Sequence, residues 1–161
     1  MSVKNLLRGI YLSSIQIDFL IRLSRSASRF GVFGKAISIS LDNLMLTLYG
    51  IELTSRMLDI KHLVVGHSTG VVLGGNGIRC TGKLHLSSGV VFARRYGSDA
   101  GSGPELFFDI EGDLTVGANT VILGPIKICG PVTLGALTLV TRDILEPGVY
   151  VGSPARKIDD R

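Results

Sequence analysis

The sequence of 161 residues predicts an all-β solenoid, a parallel β-helix preceded by a short α-helical N-terminal segment. The main observation is a repeat of six residues between Ile110 and Leu145. Positions six apart share one face of an extended chain but scatter around an α-helix, so the repeat predicts strands. Glycine or proline interrupts the repeat at matching phases, and short strands that turn at this interval build a solenoid. The two stacked sets are Ile110, Val116, Ile122, Ile128, Leu134 and Val140, and Leu114, Thr120, Ile126, Val132, Thr138 and Ile144.

The composition supports the same fold. Hydrophobic residues make up 45% of the chain and 21 residues are glycine, whereas aromatic residues are only 6% and tryptophan is absent. Stacked aliphatic side chains with glycine corners have this composition, but a β-sandwich usually carries more aromatics and longer strands. From Ile51 the repeat continues in rougher form, and we expect its inward positions to be Leu53, Val65, Leu73, Leu86 and Phe92.

These patterns divide the chain into a helical segment, residues 1–48, and a β-helix domain, residues 49–158. A glycine-rich loop at residues 93–109 is inserted into the solenoid. Insertions in solenoids tend to lie on the binding face.

Helical spacing of apolar residues predicts one or two amphipathic helices within residues 3–29. Gly31 and Gly34 are expected to break this pattern before a second helix near residues 35–48. We find neither the pattern of a signal peptide nor an apolar run of the roughly 20 residues that span a membrane. The residues at helical spacing are Leu6, Ile10, Ile17 and Ile21.

The net charge of +4 is concentrated near the N-terminus. Residues 1–40 hold six basic residues against Asp18 alone, and the rest of the chain is close to neutral. A nucleic-acid-binding domain would carry its basic stripe on the folded body, so no nucleic-acid partner is predicted. The segment can instead pack on the solenoid or a neighbouring subunit, or make peripheral contact with an anionic membrane. The basic residues considered for that contact are Lys4, Arg8, Arg22, Arg25 and Arg29.

The only two cysteines, Cys80 and Cys129, have no CxxC spacing and cannot form a disulfide framework. Both fall within repeat segments, so they are expected to be buried free thiols. That state agrees with a reducing, cytoplasmic location.

Three stretches give the chain from Tyr49 to Ile158 a resemblance to the hexapeptide-repeat acyltransferases. It is closest to serine acetyltransferases and their polysaccharide O-acetyltransferase relatives. The stretches are His67–Gly74, Ile110–Leu123 with its Val116–Asn119 unit, and Leu139–Ile144 followed by Val151–Arg156. The resemblance implies a left-handed parallel β-helix of hexapeptide repeats, assembly as a homotrimer, and acetyl-CoA as co-substrate.

The resemblance also implies roles for particular residues. His67 falls on the family's catalytic histidine, and histidine suits a general base because it titrates near neutral pH. Ala118 and Ala136 are 18 residues apart, one full coil of the solenoid, so they should stack on one edge and leave a groove for the pantetheine arm. Around the nucleotide and phosphates the resemblance places Thr141, Arg142 and Arg156. No metal site is predicted, since the three histidines lack the spacing of a zinc site.

Two positions depart from the serine acetyltransferase pattern. Gly66 stands where the family has an aspartate, and Phe107 stands where it has a second histidine. His62 and His85 match no family position and are interpreted as ordinary polar residues. We therefore predict an acetyl-CoA-dependent O-acetyltransferase acting on a hydroxyl acceptor, preferably a sugar in surface-polysaccharide synthesis. The alternatives are a serine O-acetyltransferase and a catalytically degenerate CoA-binding scaffold.

Overall fold

The computed structural model describes residues 9–75, 77–95 and 107–158. Two helices, α1 (Gly9–Ala27) and α2 (Gly31–Tyr49), precede a parallel β-solenoid. The solenoid is the predicted left-handed β-helix. The predictions that fall on Leu6, on the side chain of Ile10, and on most of the 93–109 loop lie outside the described residues.

The strands lie on three faces of the solenoid, which the chain follows in a fixed order. The first face holds five parallel strands: β1 (Ile51–Leu53), β3 (Val71–Leu73), β5 (Val91–Arg94), β8 (Val121–Gly124) and β11 (Leu139–Val140). The other two faces share a sheet because β2 (Leu58–Val65) and β4 (Ile78–Leu86) each run across both. The second face continues with β6 (Phe108–Glu111) and β9 (Ile126–Cys129). The third face continues with β7 (Leu114–Val116), β10 (Val132–Leu134) and β12 (Gly148–Val151), which pairs antiparallel with β13 (Arg156–Ile158).

The buried core confirms the inward positions that the six-residue repeat predicts. Both predicted sets of stacked residues are buried, and so are the five inward positions expected in the rougher coils. Asp59, which interrupts that rougher series, is exposed. The largest core side chains are Phe92 and Phe108, whose rings meet edge to face with centroids 5.1 Å apart.

The helical segment differs from the prediction at Gly34. The break between α1 and α2 ends at Gly31, which has a φ of +64°, as expected, but Gly34 lies inside α2. A Cβ on Gly34 would collide with the carbonyl of Ala27, so glycine allows the end of α1 to approach α2 closely. The predicted inward residues Ile17 and Ile21 are buried. A glycine inside a helical stretch therefore marks close packing here, not a helix end.

The two cysteines differ in exposure, so the expectation that both are buried is wrong for Cys129. Cys80 is buried and Cys129 is only partly buried. Burial raises the pKa of the Cys80 thiol.

A raised thiol pKa lowers the thiolate fraction at neutral pH, and the thiolate is the reactive form. We therefore expect an aromatic disulfide reagent to modify Cys129 in the native protein and Cys80 only after unfolding. Cys129→Ser should abolish the native-state reaction. A native-state reaction that persists in this variant would contradict the assignment.

Candidate active site

His67 lies in a turn that is two residues longer than the equivalent turns of the other coils. Val65 pairs with Leu86, and Val72 pairs with Val91. The chain takes seven positions from Val65 to Val72 but only five from Leu86 to Val91. The extra residues are His67 and Ser68, because the amide of Gly89 donates to the carbonyl of Thr69 and restores the coil register. The His67 side chain is consequently exposed at a corner and not packed on a face.

This corner, between the third and first faces, is the edge that carries both predicted alanines. We call it the Ala118 edge, and it comprises residues 66–70, 87–89, 117–119 and 135–137. Main-chain hydrogen bonds connect its coils: Asn119 N donates to Ser88 O at 2.9 Å, and Leu137 N donates to Ala118 O at 2.9 Å. The structure thus aligns His67 with Ala118 and Ala136 along one edge.

The upper part of the Ala118 edge has an unusual backbone. The left-handed corner position is occupied by Gly70 and Gly89 in the lower coils but by Asn119 (φ +56°) and Leu137 (φ +59°) in the upper ones. Leucine rarely adopts this conformation, and the Leu137 side chain is 71% exposed. The methyl side chain of Ala136 is exposed beside it. A shallow surface with small side chains and an outward apolar residue results.

Thr141, Arg142 and Arg156 come together at a different place, the C-terminal end of the solenoid. They line one cavity of about 140 Å³, which Tyr150 and Pro154 also border. The β12–β13 hairpin brings Arg156 there, and the amide of Ala155 donates to the carbonyl of Leu139 at 2.8 Å. None of the residues described as lining this cavity belongs to the Ala118 edge.

Arg95 is a residue of this region that the sequence analysis missed. Its backbone amide donates to Gly124 O at 2.9 Å, and its guanidinium donates to the carbonyl of Thr141. A third guanidinium is therefore held at the margin of the cavity that contains Arg142 and Arg156. In the sequence, only the position of Arg95 at the end of a repeat, just before the glycine-rich loop, could have indicated that it lies near this cavity.

A larger groove of about 450 Å³ lies between α1 and the third face. Its polar side chains are Ser14, Asp18, Lys83 and His85, and Gly66 is at its margin. A Cβ on Gly66 would lie 3.4 Å from Nε2 of His85. Because Gly66 has no side chain, the imidazole of His85 can occupy this space. His85, which the sequence analysis gave no role, thus stands beside the residue that precedes His67.

Phe107, at the family position of the second histidine, is buried at the corner between the first and second faces. Its ring packs against Phe108 with centroids 5.5 Å apart, and the guanidinium of Arg94 lies 5.6 Å from its centroid. It also contacts the corner glycines, since a Cβ on Gly75 or Gly124 would meet its ring. Phe107 fills space in the core and lies on a different corner from His67.

Several solved serine acetyltransferases share this fold. The enzyme from Brucella abortus strain S19 in complex with coenzyme A has a TM-score of 0.75 and 20% identity over 92% of this chain and 56% of that one. The Neisseria gonorrhoeae enzyme in complex with serine has a TM-score of 0.66 and 26% identity over 85% of this chain and 53% of that one. The soybean enzyme complexed with serine has a TM-score of 0.67 and 23% identity, covering 86% of this chain and 54% of that one. No protein-family model matches the chain, and no curated protein matches it in sequence.

These similarities show that the chain has the β-helix fold of hexapeptide-repeat proteins, in agreement with the predicted resemblance. Its structural neighbours are serine acetyltransferases, and the chain spans a little more than half of their length.

Proposed function

We propose that the chain is an acetyl-CoA-dependent O-acetyltransferase that acts on a hydroxyl acceptor with His67 as general base. The observation that carries the proposal is the exposed, extended turn that puts His67 on the same edge as Ala118 and Ala136. A structural neighbour with this fold was solved in complex with coenzyme A, which supports acetyl-CoA as the co-substrate.

In this proposal His67 accepts the proton of the acceptor hydroxyl as its oxygen attacks the thioester carbonyl of acetyl-CoA. The new bond joins that oxygen to the acetyl carbon, and the carbon–sulfur bond of the thioester breaks. His67 then returns the proton to the departing sulfur. General base catalysis of this kind contributes about 10² to 10⁴ in rate. The exposed position of the His67 side chain leaves it accessible to both substrates.

The Ala118 edge is the proposed site for the pantetheine arm. The methyl groups of Ala118 and Ala136 leave the edge shallow, and an extended amide chain can hydrogen-bond to backbone groups at such an edge. For the nucleotide end we propose Thr141, Arg142 and Arg156. A guanidinium binds phosphate oxygens through its rigid fork of donors, so two of them in one small cavity suit a phosphorylated group.

We propose the groove beside Gly66 as the acceptor site. The hydroxyl, carboxylate, ammonium and imidazole groups of Ser14, Asp18, Lys83 and His85 suit a ligand with several hydroxyls, such as a sugar. Serine is the alternative acceptor, supported by the neighbours that were solved with serine. A degenerate scaffold is the remaining alternative, favoured by Gly66 and Phe107 at positions where the family has polar groups.

A thiol-release assay tests the reaction directly. The protein is incubated with acetyl-CoA and a panel of sugars, amino sugars and serine, and free CoA is followed over time. Turnover with a sugar supports the main proposal, and turnover with serine alone supports the alternative. Tight CoA binding with no turnover on any acceptor would identify the scaffold.

We also propose that the chain assembles as a homotrimer. Leu137 and Leu145 are 71% and 63% exposed at two corners of the solenoid, and symmetric assembly would cover such apolar edges. Light scattering at micromolar concentration should give about three times the chain mass of 17.2 kDa. A monomer at this concentration would contradict the trimer.

A further inference from the structure

The end of the α1–α2 turn and the first turn of α2 carry three large apolar side chains that point away from the protein. Phe30, Val32 and Phe33 are 76%, 82% and 86% exposed, the highest values among the exposed large hydrophobic residues of the described chain. We call these three residues the hairpin tip. Contiguous exposed apolar surface on a water-soluble body marks an interaction site.

The rest of α2 exposes both apolar and polar side chains. Its single carboxylate, Asp42, points inward and accepts hydrogen bonds from Ser24 Oγ at 2.9 Å and Ser55 Oγ at 2.5 Å. Apolar side chains continue outward from the tip along the helix. These exposed residues are Ile37, Ile39, Leu44, Leu46 and Leu48.

The exposed side of α2 carries several large apolar side chains among small polar ones, and such a surface suits contact with an apolar environment. Among the described residues, no helix combines the length and hydropathy that crossing a membrane requires. An orientation parallel to a lipid surface, with the apolar face in the headgroup boundary, satisfies both observations.

The charges around the tip are positive. Arg29 and Lys35 flank it and are exposed. Two other arginines considered from the sequence have partners in the protein: Arg22 pairs with Asp18 at 2.7 Å, and Arg25 pairs with Asp59 at 3.3 Å. Lys4 and Arg8 lie outside the described residues, so of the basic residues considered for membrane contact Arg29 is the one described without an ion pair, and Lys35 lies on the other side of the tip.

We propose that the α1–α2 hairpin docks on an anionic phospholipid surface. Phe30, Val32 and Phe33 insert at the interface, and Arg29 and Lys35 contact headgroup phosphates. A lipid surface fits better than a second copy of this face, because a symmetric contact would bring Arg29 and Lys35 close to their own copies. Anionic headgroups instead neutralise them. This inference does not depend on the proposed enzymatic activity.

Flotation of the full chain with phospholipid vesicles tests the proposal. We expect binding to vesicles that contain phosphatidylglycerol, little binding to pure phosphatidylcholine, and a loss of binding at high salt. The triple variant Phe30→Ser, Val32→Ser, Phe33→Ser and the double variant Arg29→Glu, Lys35→Glu should each lower the partition coefficient about tenfold or more.

The variant Ile158→Ser is the matched control, because it removes an exposed apolar side chain from the solenoid and should bind vesicles like the wild type. Circular dichroism checks that each variant is folded, and the salt dependence of the wild type tests the proposal without any substitution. Failure of the wild type to bind anionic vesicles would overturn the proposal. If the triple variant binds vesicles like the wild type but has a smaller particle mass, the hairpin tip is a contact between copies of the chain and not with lipid.

Discussion

Replacing His67 by alanine is expected to lower the rate of acetyl transfer by about 100-fold or more while CoA affinity stays nearly unchanged. The reason is that His67 is proposed to act on the proton of the acceptor hydroxyl, a step that comes after the cofactor has bound. The exposed side chain makes no core contact, so the fold should tolerate the change. Initial rates from the thiol-release assay and Kd values from calorimetry measure the two quantities separately.

His62→Ala is the matched control for this experiment. His62 is also exposed, but it belongs to β2 and not to the extended turn, so its removal should leave the rate unchanged. An active His67→Ala variant would remove this histidine from the mechanism.

Replacing Ala136 by tyrosine is expected to weaken CoA binding by about tenfold or more, equivalent to about 1.4 kcal/mol. Ala136 is exposed on the Ala118 edge, and a tyrosine ring there would occupy the shallow surface proposed for the pantetheine arm. Ala118→Tyr should act in the same direction. Calorimetry with CoA gives the affinities, and thermal unfolding shows whether stability is retained.

Met57→Tyr is the control for steric bulk. Met57 is 44% exposed and lies in the turn between β1 and β2, at the corner between the first and second faces and away from the Ala118 edge. CoA should bind this variant like the wild type. Unchanged affinity in both alanine variants would place the cofactor on another edge.

The predictable part of the fold follows from local periodicity. A six-residue interval puts Ile110, Val116 and Ile122 on the inner side of short extended segments, and stacking neighbouring coils buries them whatever the rest of the chain does. The alignment of Ala118 with Ala136 follows in the same way, because 18 residues make one coil of three faces.

The site could be predicted only in part. Gly66 and the His67 turn can be recognised in the sequence as a motif. Their proximity to His85 depends on the pairing of β2 with β4, in which Val64 lies opposite His85, 21 residues further along the chain. The position of Arg95 beside Thr141 likewise depends on contacts between different coils. Sequence spacing gives no distance between side chains that stand on separate strands.

The sequence by itself determined the β-helix and the residues that fill its core, because a short period encodes which side chains face inward. Only the tertiary structure decided which corner holds the His67 extension and which arginines of the N-terminal segment are paired. Register between coils and packing between helices fix these features, since both depend on residues that are distant in the chain. The same long-range packing turned Asp42 inward and left Phe30, Val32 and Phe33 exposed at the hairpin tip.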